Sequence, residues 1–503
     1  MTTQTEERSW SVEDRGRRGT AAAARTPAAS HAAWEPAPDR PDPVELLVEQ
    51  NRTREADLVP VRHGRMMVSP FTFYRGAAKI MASDLAGTPT AGLTVQLCGD
   101  AHLSNFGGFA SPERQLLFGL NDFDETLPGP FEYDLKRMAA SFTIAARNNG
   151  FPAKSTRAVT LESVRAYRSA MAEFAGMRTL NVWYAHMSEA DIQEALQTVQ
   201  QELSSTAGKS KSGKKDGKQK DSGKAVKVSK AEAAQLVERA AAVTKAMRKA
   251  HTRDSLQALS RFAEVVDGQY RIASQAPVVV PLREMDGAWG LSEGEIRDAV
   301  EDQFRAYQTS LSADRRLLLE RFRIVDVARK VVGVGSVGTR AFMVLLEGRD
   351  TGDPLFLQVK EATRSVLEDH LPNSRFRTPG QRVVEGQRLM QSASDIFLGW
   401  TKGVQDDRFY YWRQLRDMKA SAVVETMTPI ALTIYARMCG WTLAHAHARS
   451  GDPVALTAYM GSDDAFDDAL TDFSARYADQ NDSDYRAFVQ AVDDGRIDAV
   501  QGV

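Results

Sequence analysis

Apolar residues recur at three- and four-residue spacing through most of the chain between Glu132 and Arg321, in stretches such as LESVRAYRSAMAEFAGM (161–177) and EIRDAVEDQFRAYQTSL (295–311). That is the period of helices that bury one face. Upstream, from Leu93 to Asp124, short apolar runs (LTVQLC, LLFGLN) are separated by Gly, Ser, Pro and Asn, which predicts strands joined by loops. From Ile324 to Arg416 the pattern returns to strand-like runs, IVDVARKVV, RAFMVLLEG, PLFLQVKEA and FYYWRQLRD. The Gly/Asp/Pro turn RDTGDP between the second and third predicts a β-hairpin. Helical patterning resumes near Pro429. Residues 1–43, with the run AAAARTPAAS and prolines at 36, 38 and 41, hold no sustained period and predict a disordered tail. Ser204 to Lys230, rich in Gly, Ser and Lys, predicts a solvated, disordered insert. The ordered chain then divides into 44–321, a strand-rich 322–420 and a helical 421–503. The class is α+β, and no fixed-period repeat is present.

Composition narrows the picture in three ways. The 503 residues carry 64 Lys and Arg against 66 Asp and Glu. Nine of those Lys crowd into the insert, so the remaining surface is net acidic and no specific nucleic-acid binding is indicated. Cys98 and Cys439 are the two cysteines, in neither CxxC nor Cys/His spacing, which indicates no disulfide framework and no zinc site. The N-terminal MTTQTEERSW has no apolar core of a signal peptide, and no apolar run is long enough to span a bilayer. A cytoplasmic protein with no membrane contact is the expectation.

Chemistry enters with Cys98-Gly-Asp100-Ala-His102-Leu-Ser-Asn105, which follows an apolar strand. Asp100 and Asn105 have the D-x-x-x-x-N spacing of a phosphotransfer loop, where a carboxylate accepts the proton of an attacking hydroxyl and a neutral amide oxygen holds a metal on nucleotide phosphates. A second strand ends in Asn121-Asp122-Phe123-Asp124, placing Asp122 as a carboxylate ligand for a hard cation. Asx turns and caps are the plainer use of the same residues. Much later come Gly333, Gly335 and Gly338, a GxGxxG followed by a hairpin rather than a helix, with Thr339 where a Walker loop needs Lys. A glycine turn over phosphates, with Lys360 on a following strand, suits this arrangement, and a plain hairpin is the alternative. Glu385, on a helical pattern, is placed to pair with Lys360. Its rival Glu361 should point away, because side chains alternate along a strand. Arg413 and Arg416 read as surface charge or phosphate contacts.

CGDAHLSNFG, LNDFDET and GPFEYDLKR together resemble the HGDxHxxN, IDFD-type and YDL motifs of aminoglycoside phosphotransferases and choline kinases. The ordered chain, about 45–490, more closely resembles the bacterial domain of unknown function 2252. The resemblance implies a two-lobed protein-kinase-like fold with a mainly helical C-lobe and a small antiparallel-sheet N-lobe. It implies ATP and Mg2+ as cofactors, Asp100 as base, Asn105 and Asp122 as metal ligands, and Asp134 as a brace for the catalytic loop. Cys98 stands where relatives carry His. The order departs from the pattern, since the glycine turn and Lys360 follow the catalytic loop instead of preceding it. The helix from Ile434 to His447 resembles the one that usually leads into that loop, so a circular permutation is expected, with 421–503 packing under Asp100. The activity implied is phosphoryl transfer from Mg-ATP to a hydroxyl of an unidentified small acceptor. A nucleotide-binding pseudokinase is the alternative, and a metallophosphatase lacks further ligands. The glycine turn, Lys360, Asp100 and Asp122 should converge on one cleft.

Overall fold

The structure, a computed structural model, describes residues 11–194, 197, 247–252, 255–285, 292–331, 333–404, 407–415 and 418–502. The Lys-rich insert and Arg416 lie outside the described residues. The helical periods are realised as α1 (Val12–Arg25), α2 (Pro43–Asn51), α3 (Val59–Met66), α4 (Pro70–Gly76), α5 (Phe131–Asn148), α6 (Ala153–Gly176), α7 (Glu293–Gln308), α8 (Pro379–Met390), α9 (Pro429–Ser450), α10 (Pro453–Met460) and α11 (Ala465–Asp493), with shorter helices between them. Leu432, Ala436, Cys439, Leu443 and Ala446 form the predicted buried stripe of α9. Its Gly440 lets α6 approach closely, since a Cβ there would lie 2.4 Å from the Ser163 carbonyl oxygen. Packing of α5, α6, α9 and α11 buries one large apolar core that includes Phe131, Tyr167, Leu443 and Phe473. Among the described residues no helix is long and apolar enough to cross a membrane.

The strands fall into small antiparallel sheets, giving a mixed α+β chain. β1 (Thr94–Leu97) pairs with β4 (Leu127–Pro130), and between them lies the hairpin of β2 (Phe106–Ala110) and β3 (Leu116–Leu120). The largest sheet has six strands. Its order is β12 (Gly399–Lys402), β13 (Phe409–Gln414), β11 (Pro354–Ala362), β10 (Ala341–Glu347), β9 (Arg323–Lys330) and β8 (Val279–Pro281), each pair antiparallel. One face packs on α7, where Tyr307 stacks on Trp412 with ring centroids 4.5 Å apart. Met343 and Phe356 pack with Phe262 in a separate cluster.

Two expectations are corrected. Residues 12–25, read as part of a disordered tail, form α1, whose Ser11 and Asp14 make a reciprocal cap. The helix docks on α10 through Gly19 and Ala22, and Arg15 pairs with Asp452 at 2.7 Å. Its contact stripe is built of small residues, which explains why no apolar period betrays it. The stretch between Glu132 and Arg321, read as mainly helical, also contains β8 and a hairpin of β6 (Ala263–Val266) and β7 (Gln269–Ile272). Asp267 and Gly268, at φ +52° and +75°, make its two-residue turn, so the Asp-Gly dipeptide was the available signal.

Candidate active site

The loop after β1 is held from beneath by a carboxylate. Asp134, in the first turn of α5 and buried, accepts from the Cys98 N–H (2.6 Å) and the Gly99 N–H (2.9 Å). The His447 ring on α9 lies 3.3 Å from the same carboxylate and is itself 2.8 Å from the Tyr167 hydroxyl. Two helices thus meet the loop at one acid, and α6 joins them through Tyr167 and His447. Gly99 takes φ +86°, and a Cβ there would lie 2.2 Å from the Glu125 carbonyl oxygen, so the turn needs glycine. Cys98 is buried, and burial pushes its thiol up, leaving it unionised.

Next in the loop, Asp100 faces a cleft of about 360 Å³. Its Oδ1 accepts from Arg137 Nε at 2.8 Å, and a second Arg137 nitrogen lies equally close. Arg137 in turn donates to the Tyr74 carbonyl (2.7 Å) and lies over the Tyr74 ring. Burial raises the Asp100 pKa, and Arg137 opposes that rise. His102 accepts from the Ser104 N–H through Nδ1, so its proton sits on Nε2, 3.7 Å from Asp100. Burial, with Arg137 and Arg75 nearby, keeps that ring neutral. Asn105 donates from Nδ2 to the Asp100 carbonyl oxygen (2.7 Å), which leaves its Oδ1 as a lone-pair group.

The β2–β3 hairpin delivers Asp122 and Asp124 to the same cleft. Across it, alternation on β11 turns Gln358 and Lys360 toward an adjoining cavity of about 270 Å³, while Leu357 and Val359 enter the core beneath α7. Lys360 Nζ lies 2.7 Å from Asp124 Oδ2 and 3.7 Å from Asp122 Oδ1. The Tyr411 hydroxyl donates to the other oxygen of Asp124 at 2.7 Å. Asp124 is thereby held below the usual carboxylate range: burial would raise it, but Lys360 and Tyr411 outweigh that. Asp122 is raised, by burial and then by the Asp124 charge. The turn between β9 and β10, with Gly333 and Gly338 at positive φ, closes over both cavities, and Ser336 Oγ reaches Asp124 Oδ2 at 3.3 Å. Its carbonyls are fastened to the segment before α4, where Arg54 donates to Val337 O and Arg65 to Gly333 O.

The structure therefore brings Asp100, Asn105, Asp122, Lys360 and the Gly333–Gly338 turn to one connected space. It does not bring Glu385 there. Glu385 pairs with Arg388 on its own helix at 3.1 Å, whereas Arg382 of α8 donates to the carbonyls of Asp124 (2.8 Å) and Thr126 (2.6 Å) and Gln387 of α8 lines the adjoining cavity. Glu361 points away from Lys360, as alternation predicts, and pairs with Arg408. Arg413 turns inward, bonded to Gln358 and to the Asn121 carbonyl. Sequence reasoning missed Asp124 as the nearest partner of Lys360, although the repeated Asp of the NDFD motif was in view. It also missed Arg137, although GPFEYDLKR ends on it, and Tyr411 and Arg382, for which no motif was in view.

No curated protein and no solved structure matches this chain. A family model described as an uncharacterized protein conserved in bacteria (DUF2252) does match, over residues 54–220 and 210–491. That span takes in the loop of Asp100, the Asp122 hairpin, the glycine turn and Lys360, and the chain belongs to this family.

Proposed function

We propose that the protein is a Mg-ATP-dependent phosphotransferase acting on a hydroxyl of a small molecule, with a two-lobed kinase-like fold in circularly permuted order. The observation that carries the reading is the meeting of Lys360 with Asp122 and Asp124 across more than two hundred residues of sequence. Further support comes from the strand order β9-β10-β11-β13-β12 with the glycine turn after its first strand and the lysine on its third, and from β1–β4 pairing around the β2–β3 hairpin. The packing of α9 against β1 supports the permuted order.

The donor set fits the implied groups. Among the described residues no group of three or more His, Cys, Asp or Glu could hold a metal ion by itself. Mg2+ is commonly held by one or two protein oxygens together with phosphate oxygens, and the Asp122 carboxylate and Asn105 Oδ1 supply that share. Bound there, Mg2+ neutralises phosphate charge. Lys360, fixed by Asp124, presents a cation to the phosphates, and the glycine turn presents backbone close to them. Asp100 accepts the acceptor hydroxyl's proton, its carboxylate aimed by Arg137 and its basicity kept up by burial.

A nucleotide-binding module without turnover is the second reading, and the two-nitrogen grip of Arg137 on Asp100 is what favours it. Calorimetry with Mg-ATP and product analysis with a panel of hydroxyl acceptors separate the two. Asp122→Ala should weaken Mg-ATP binding and remove transfer together. Asp100→Asn should keep binding and lower turnover by about 10²- to 10⁴-fold. Binding without transfer by the wild type across the panel supports the second reading, and absence of Mg-ATP binding refutes both.

A further inference from the structure

Arg75, in the last turn of α4, lines the cleft beside Asp100 and the glycine turn, yet it makes no hydrogen bond and no ion pair among the described residues. The other cations at the cleft are engaged. Arg137 holds Asp100, Lys79 holds Glu49 and Asp369, Arg364 holds Asp369, and Arg54 donates to the Val337 carbonyl. A partly buried guanidinium with five donors and no acceptor is costly to keep, so its place in a fold points to a ligand that completes it. Its position says which. The Arg75 carbonyl oxygen lies 3.3 Å from where a Cβ of Gly335 would stand, so the residue abuts the glycine turn, and its charge acts on Asp100 and His102.

Resting on the phosphotransferase reading, we propose that Arg75 binds the terminal phosphate of the nucleoside triphosphate. It is then the contact that tells a triphosphate from a diphosphate. A planar guanidinium can donate two parallel N–H bonds to phosphate oxygens, which a lysine cannot reproduce. The site for the transferred group therefore includes a residue from the helices ahead of the first motif.

Titration calorimetry of the full chain with Mg-ATP and with Mg-ADP tests this. Wild type should prefer Mg-ATP. Arg75→Gln should lose about 10- to 100-fold in Mg-ATP affinity, the worth of a charge-assisted pair, with Mg-ADP affinity changed less than about twofold. Arg75→Lys should recover part of the difference. Because the Arg75 side chain has no hydrogen-bond or ion-pair partner among the described residues, with only the more distant charges of Glu425 and Asp100 acting on it, Arg75→Gln should unfold at about the same urea concentration as wild type or higher. Equal effects on both nucleotides, no effect on either, or a clear loss of stability would overturn the assignment while leaving the phosphotransferase reading standing. A wild type that binds neither nucleotide would overturn both.

Discussion

Replacing Asp134 with alanine tests whether the loop that carries Asp100 is held from below. The carboxylate is 1% exposed and is the acceptor for two consecutive backbone N–H groups, at 2.6 and 2.9 Å. In the alanine variant the buried Cys98 N–H and the half-buried Gly99 N–H lose their acceptor, at about 1–3 kcal/mol for the first and less for the second, and His447 loses its neighbour as well. Relief of the desolvation cost of one buried carboxylate offsets part of this. A net loss of about 2–4 kcal/mol is expected, read as a lower midpoint in urea. Native-state hydrogen exchange localises it, because the Cys98 and Gly99 amides should pass from protected to fast. Mg-ATP affinity should fall too, since the two N–H groups that Asp134 accepts from fix the Cys98–Gly99 turn that leads directly into Asp100. A loss below about 1 kcal/mol, or continued protection of those two amides, would refute the brace.

Two further outcomes follow from the same geometry. Burial holds the Glu132 carboxyl up at about 7, so the folded chain binds that proton more tightly than the unfolded chain does, and this stabilisation fades as pH rises from about 4.5 to 7. Lys136, pulled down to about 8 by burial, acts in the opposite sense, with stability recovering between about 8 and 10.5. Wild type measured against Glu132→Gln in urea should therefore lose ground between pH 4.5 and 7, and a flat difference would refute the assignment. Glu385→Ala should cost at most about 0.5 kcal/mol and leave Mg-ATP affinity within twofold, because its partner is the neighbouring Arg388. A large loss of affinity would restore Glu385 as the partner of Lys360 in a closed form.

What the sequence made legible was local in each case. Asp100 and Asn105 lie five residues apart in one loop, Asp122 ends one strand, and Lys360 follows a glycine turn by one hairpin, so spacing alone could nominate them. Glu385 failed for a reason of helical phase. Arg382, Val383, Gly386, Gln387 and Met390 share the buried arc of α8, and Glu385 falls off it, but VVEGQRLM has apolar residues at both ends and does not fix that phase. α1 failed because Gly19 and Ala22 make contact by close approach, which leaves no large apolar residue to count. The remaining omissions share another cause. Arg137, Arg382, Tyr411 and Arg75 act on Asp100, Asp124 and the glycine turn from elements far away in the chain, so their roles come into being only when α4, α5, α8 and β13 converge. CGDAHLSNFG and LNDFDET each name a reactive atom, and the charge that sets the atom's basicity comes from another stretch of chain: Arg137 ends GPFEYDLKR, but nothing in that string says that it meets Asp100. Spacing could therefore nominate Asp100 as a base, but whether it works as one depends on Arg137, a partner that only packing supplies.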